Sequence, residues 1–227
     1  MTHVKLVASP MSTTHALTMF VGMQYLSLTR ADISFSVNRI CQFMHRSTTV
    51  HWTAVKHILR YLKHTVDHGI LIRPSHTSQF IAYSDADWGG SPDDRRSTTG
   101  YCNFFGHNIV TWSSKKQTKV AWSSTEAEYQ AIANTTAELI WLQSLYRELD
   151  IYQPYAPIIW CDNIGATYLT ANLVFHARTK HIELDYHFVR EHVSKKLLDV
   201  RFIFQEGSSG RCIDEASIFT TIYFAQR

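Results

Sequence analysis

The chain is poor in the residues that interrupt structure, with nine glycines and five prolines among 227 residues and no low-complexity tract. That scarcity excludes a collagen-like or linker-dominated chain and argues against long disorder. Cysteine is scarce as well. Cys41, Cys102, Cys161 and Cys212 lie far apart and form no Cys-x-x-Cys pair. Neither a disulfide framework nor a zinc module is expected, and a reduced environment is. No run nears the roughly 20 apolar residues of a membrane span. The opening MTHVKLVASPMSTTHAL is too polar for a secretory leader. Charge of one sign is also lacking: the net charge is +3, with 13 histidines besides. So mild a basic bias is compatible with a polyanion partner but does not demand one. These absences predict an intracellular globular protein, cytoplasmic or nuclear, neither secreted nor partnered with a membrane.

What the chain does have is apolar material: 45% hydrophobic and 13% aromatic residues, enough for one sizeable core and part of a second unit. Residues 1–75 read as helical. In VHWTAVKHILRYLKHT, Trp52, Val55, Ile58, Leu59 and Leu62 recur at three- and four-residue steps on one face, with Thr48 or Thr49 available as a cap. The polar stretch RPSHTSQ (73–79) breaks this pattern and predicts a boundary. The texture then changes. QFIAYS reads as a strand, and GYCNFFGHNIVTWSS as two strands turning at Gly106, His107 and Asn108. TKVAWSS extends the last of these or adds another. TEAEYQAIANTTAELIWLQSLYREL is the strongest helix, with Tyr129, Ile132, Ala133, Thr136 and Ile140 on one face and Thr125 with Glu128 as a capping box. PIIWCDN predicts a short strand ending at Asp162, followed by helices near 163–172 and 181–196 and a last strand in DVRFIF. The fold class is α/β, a mixed sheet with helices, preceded by a small helical segment.

Two of these strands end in acids. Asp85 closes IAYSD and Asp162 closes IIWCD, while Glu128 sits near the start of the helix between them. If the two strands are neighbours, all three carboxylates share one edge of the sheet. Like charges at close range repel and hold protons unless a cation is present. An all-oxygen donor set suits Mg²⁺ or Mn²⁺, and a pair of such ions can activate water and stabilise a leaving oxygen in phosphodiester cleavage. Taken singly, each acid has an ordinary role: a solvated strand end, the partner of Thr125 in a cap, and a helix cap beside Asn163.

Three stretches carry a resemblance: YSDADWGGSPDDRRSTTGYCNFFGHNIVTWSSKKQTKVAWSSTEAEYQAIANTTAELIWLQSL, WCDNIGATYL, and FHARTKHIELDYHFVREHV. Together they resemble the ribonuclease H domain of copia-type LTR retrotransposon Pol polyproteins. Upstream, VGMQYLSLTRADISFSVNRICQFM and HWTAVKHILRYLKHT resemble the segment joining the reverse transcriptase to that domain. The resemblance implies a ribonuclease H-like sheet with antiparallel first strands over 76–227, atypical from about 205, and a remnant of the reverse transcriptase thumb or connection over 1–75. It implies catalytic and metal-binding roles for Asp85 (Asp87 second), Glu128 (Glu126 second) and Asp162. The implied reaction is two-metal hydrolysis of the RNA strand of an RNA–DNA hybrid. Partners would be the hybrid and the reverse transcriptase part of the polyprotein.

Basic residues suit that partner: Lys115, Lys116 and Lys119 after the hairpin, and His176, Arg178, Lys180 and His181 in FHARTKH. Trp88, Trp112, Trp122, Trp141 and Trp160 are expected in the core rather than as stacking platforms. The chain departs from the family at its end. EASIFTT stands where an ADIFTK-like motif would be, so Ser217 occupies the position of the fourth acidic ligand, with Asp214 and Glu215 nearby. Asp185 in HIELDYHF is expected on a helix surface. A nuclease impaired by Ser217, binding nucleic acid without cutting it, is the alternative reading; a purely structural module presenting apolar patches over 1–75 is a third.

Overall fold

The computed structural model describes residues 22–171 and 183–203. The chain divides after Gly69 into two compact units. In the first, helix α1 (residues 22–27) leads through a single turn at Ala31–Ile33 into α2 (Ser34–Cys41), then through a second turn at Met44–Arg46 into α3 (Thr49–His64). Thr48 caps α3: its hydroxyl accepts from the His51 amide, and its own amide donates to His51 Nδ1. Val55 and Ile58 pack with Met23, Ile33, Val37 and Ile40 into a small core, flanked by Trp52 and Leu62. Leu59, on the same sequence face, stands at its solvent edge.

One polar cluster is sealed into this unit. Arg30 pairs with Asp32 at 2.7 Å, and the Asp32 side chain is only 1% exposed. Tyr61 donates its hydroxyl to Asp32 at 2.8 Å, and Arg30 reaches the Thr65 carbonyl and hydroxyl. The Arg30–Asp32 pair therefore ties the start of α2 to the end of α3. Removing one member leaves the other charged and buried. Asp32→Ala should destabilise the first unit by about 3–5 kcal/mol, read as lost amide protection confined to residues 22–69; protection equal to the parent's would show the cluster to be dispensable.

The second unit holds strands β1 (Phe80–Asp87), β2 (Thr98–Phe105) and β3 (Asn108–Lys116), helix α4 (Ser124–Glu148), strand β4 (Ile158–Cys161), helices α5 (Ile164–Ala171) and α6 (Glu183–Ser194), and strand β5 (Asp199–Phe202). The sheet order is β3-β2-β1-β4-β5. β1, β2 and β3 pair antiparallel, while β4 joins β1, and β5 joins β4, in parallel. This is the ribonuclease H-like arrangement. Gly106 makes the tight β2–β3 turn at φ +59°, and a side chain there would collide with Ser75. Phe80, Ala82, Ile159 and Cys161 from the sheet pack against Tyr129, Ile132, Leu139 and Leu142 of α4 and against Tyr186 and Val189 of α6. Among the described residues, no helix is long and apolar enough to cross a membrane, and Cys41, Cys102 and Cys161 are free thiols.

TKVAWSS forms no strand. β3 ends at Lys116, and Gln117 turns the chain inward: its amide donates to the Ser97 carbonyl, and its side chain to the Ala127 carbonyl and the Thr99 hydroxyl. The segment is thereby drawn toward the start of α4 instead of along the sheet.

Candidate active site

β1 and β4 run parallel with Ile81–Ser84 opposite Ile158–Cys161. There the pairing stops, and the next residue on each strand is an acid, Asp85 and Asp162. Two carboxylates thus leave the sheet side by side. β1 continues against β2 as far as Asp87, but β4 has ended, and the Ala86 amide turns to a helix side chain. Glu128 accepts it through Oε1 at 3.1 Å.

The start of α4 decides which glutamate arrives there. Ser123 is the cap, in extended conformation, and its hydroxyl accepts from the Glu126 amide at 3.2 Å. Glu126 reaches back to accept from the Trp122 amide at 2.7 Å. The expected Thr125–Glu128 capping box is therefore not formed, because the helix begins two residues earlier than that pairing requires. Glu126 serves the helix end, and Glu128, two residues further on and so about half a turn round the helix, points inward with 5% of its surface exposed.

Glu128 and Asp162 approach closely, and the buried Cys161 thiol sits with them; their donor atoms lie within 4.8 Å of one another. Cys161 Sγ donates to Glu128 Oε2 at 3.8 Å. Burial raises the Asp85 carboxyl above its ordinary range, and the Asp162 charge raises it further. Glu128 is raised more, by burial and then by the charges of Asp85 and Asp162, and hydrogen-bonds to Asp85. Asp162 is exposed at the rim of the cluster, and partial desolvation of its carboxyl raises it too, while burial pushes up the Cys161 thiol. These acids hold protons unless a cation takes their place. Oxygen donors from three elements fit a hard divalent ion; Cys161, turned to Glu128 from inside the core, is a soft donor beside them.

Asp87 has a different post. Its carboxylate accepts from the Thr98 amide and lies against Gly90, where any side chain would collide with it. It thereby clamps the β1–β2 loop. Lys115 is exposed at the end of β3. Lys116 is paired with Asp94 at 2.9 Å and with Ser91. Lys115, Lys119 and Asp185 line a 620 Å³ groove beside α4, so Asp185 is half-buried there and not on an open helix surface. His176, Arg178, Lys180, His181, Cys212, Asp214, Glu215 and Ser217 lie outside the described residues.

The tryptophans overturn their expectation. Trp88, Trp122 and Trp141 are 56%, 75% and 55% exposed, and Trp112 and Trp160 are half-buried. Trp88 and Trp122 stand in loops and Trp141 on the outer side of α4, although the residues beside them, such as Ala86, Ala121 and Leu142, are buried. Sequence reasoning also passed over Cys161, although its place beside Asp162 in WCDN was the available signal.

The pH dependence follows from the raised carboxyls. The folded state holds protons that the unfolded chain releases near pH 4, so stability falls as pH rises from there through the folded values. Without divalent ions, the thermal midpoint should drop between pH 5 and 8. Glu128→Gln should flatten that drop, and Mg²⁺ should reverse it in the parent. A drop of the same size in the variant would place its origin elsewhere.

No family model matches the chain. It is 50% identical over 211 residues to the retrovirus-related Pol polyprotein from transposon RE2 of Arabidopsis thaliana, which covers 86% of this chain and 14% of that protein. It is 54% identical over 179 residues to the corresponding polyprotein from transposon RE1 of the same plant, covering 79% of this chain and 12% of that one. The chain therefore spans about a seventh or less of these relatives. Among solved structures, the foamy viral protease-reverse transcriptase dRH in complex with ds DNA superposes with a TM-score of 0.54 at 10% identity, over 89% of this chain and 34% of that one, a likeness of fold alone. On this shared sequence, the chain is homologous to one part of the retrovirus-related Pol polyproteins of transposons.

Proposed function

We propose that the second unit is a ribonuclease H acting on the RNA strand of RNA–DNA hybrids with a divalent metal, Mg²⁺ or Mn²⁺. The observation that carries this reading is that Glu128 lies with Asp162 and hydrogen-bonds to Asp85 where β1 and β4 part. These three acids would hold the ions, which when bound polarise a phosphate and generate a water nucleophile at neutral pH. The chain's own contribution is positional. The Ala86 amide fixes the Glu128 carboxylate, and Asp87 and Gly90 hold the adjoining loop. Recognition would rest on 2′-hydroxyls and groove shape, not on base sequence. Lys115 and Lys119 are exposed for backbone phosphates. The first unit, in this reading, is the reverse transcriptase connection and its contact to the polymerase part of the polyprotein; the setting is intracellular.

One sequence feature favours a second reading. Ser217 cannot supply the charge of a fourth acidic ligand, and a nuclease so weakened would bind hybrid without cutting it.

Cleavage of a labelled RNA–DNA hybrid by the full chain, with Mg²⁺, with Mn²⁺ and with chelator, separates the two. Metal-dependent cutting of the RNA strand alone is expected, abolished by Asp162→Asn. A folded protein that binds hybrid but never cuts it supports the second reading, and Asp162→Asn cutting normally would overturn the site. Lys115→Ala should lower the salt dependence of hybrid binding by about one unit of logarithmic slope; an unchanged slope removes Lys115 from the interface.

A further inference from the structure

We infer that Trp88 and Trp122 form an apolar ledge beside the acid cluster that packs against the sugar edges of the bound nucleic acid, an inference that rests on the function proposed above. Trp88 follows Asp87 at the end of β1, and Trp122 immediately precedes the Ser123 cap of α4, the helix that carries Glu128. One contact joins the two segments: Trp88 Nε1 donates to the carbonyl of Ala121, the residue before Trp122, at 3.1 Å. The hydrogen bond holds the Trp88 indole by its polar edge while 56% of its surface stays in water, and Trp122 is 75% exposed. Just beneath, Ala86, Ala121, Ala127 and Ala131 make a tight cluster of small side chains that joins the end of β1 to the first turns of α4. The ledge is thus fastened to the same two elements that present Asp85 and Glu128.

Two indoles kept in water next to a reactive site cost solvation unless something covers them. The occupant is set by continuity with the acids, since a phosphate seated there brings its flanking sugars over the adjoining surface. An RNA–DNA hybrid offers a wide, shallow minor groove whose rims are sugar rings. Indole faces suit such C–H surfaces and need no base to leave its stack. The contact is apolar, so it adds affinity without adding counterion release.

Hybrid binding should be measured for the full chain by fluorescence anisotropy in chelator, where nothing is cut, across a range of salt. Trp122→Ala should weaken binding about ten- to thirtyfold, the loss expected when a tryptophan anchor is truncated. The salt slope and thermal midpoint should stay at parent values. Trp122→Phe should recover most of the loss. Trp141→Ala, an indole as exposed as Trp88 and about 25 Å along α4 from its start, should change nothing. Parent-like binding by both Trp122→Ala and Trp88→Ala overturns the ledge and leaves the nuclease reading intact. A parent that binds no hybrid overturns both. An altered oligomeric state in Trp122→Ala, with hybrid binding unchanged, would assign the ledge to a protein contact and overturn its nucleic-acid role.

Discussion

The constraint on which the second unit depends is a mismatch in strand length. β4 is four residues long and β1 is eight, so β1 outruns its parallel neighbour. Where the shorter strand stops, the ladder leaves an amide with no strand partner on that side, and Asp85 and Asp162 follow the last paired residues of β1 and β4. A buried backbone donor must find an acceptor. Here it finds the Glu128 carboxylate, so the requirement that satisfies the sheet also sets the third acid beside the other two. Site and fold share one solution to the same hydrogen-bonding problem.

The concentration of negative charge has an energetic meaning. Raised carboxyls disfavour the fold as pH rises, and the Ala86 amide offsets this only in part, while the Cys161 thiol is also pushed toward its neutral form. Such an arrangement is poor design for stability alone and suits a place built to receive a cation. The contrast with Arg30 and Asp32 is instructive. That pair is buried too, but each charge there has its opposite, and Tyr61 and Thr65 complete the set.

The helix cap shows how one local choice reaches the site. Ser123 and Thr125 are both plausible caps, and each pairs in sequence with a glutamate three residues on. Choosing Ser123 engages Glu126 at the helix end and releases Glu128 inward. The opposite choice would hold Glu128 at the surface. A shift of two residues in a helix start thus separates a structural carboxylate from a candidate ligand, and the loop that makes the choice is anchored by Gln117 and by the Trp88 contact to Ala121.

Much was legible beforehand because it is periodic. The alternation of β1, the hairpin turn at Gly106 and the long face of α4 follow from two- and 3.6-residue repeats and from turn chemistry. That Asp162 follows directly on a strand was readable for the same reason, whereas Asp85, expected to end β1, lies two residues inside it, where only the pairing with β4 stops. What sequence alone left open were contacts made across the fold. Nothing local says that TKVAWSS is pulled from the sheet by Gln117, or that Asp87 turns back to Thr98 and Gly90. The tryptophans make the point sharply: hydrophobic neighbours predicted burial, yet Trp88 and Trp122 sit where loops meet, and their exposure is set by what the sheet and helix leave uncovered. Sequence determines which residues can form each element, because the chain's own geometry sets the repeat. Only tertiary structure decides which carboxylate faces which, because that depends on where one strand ends against another.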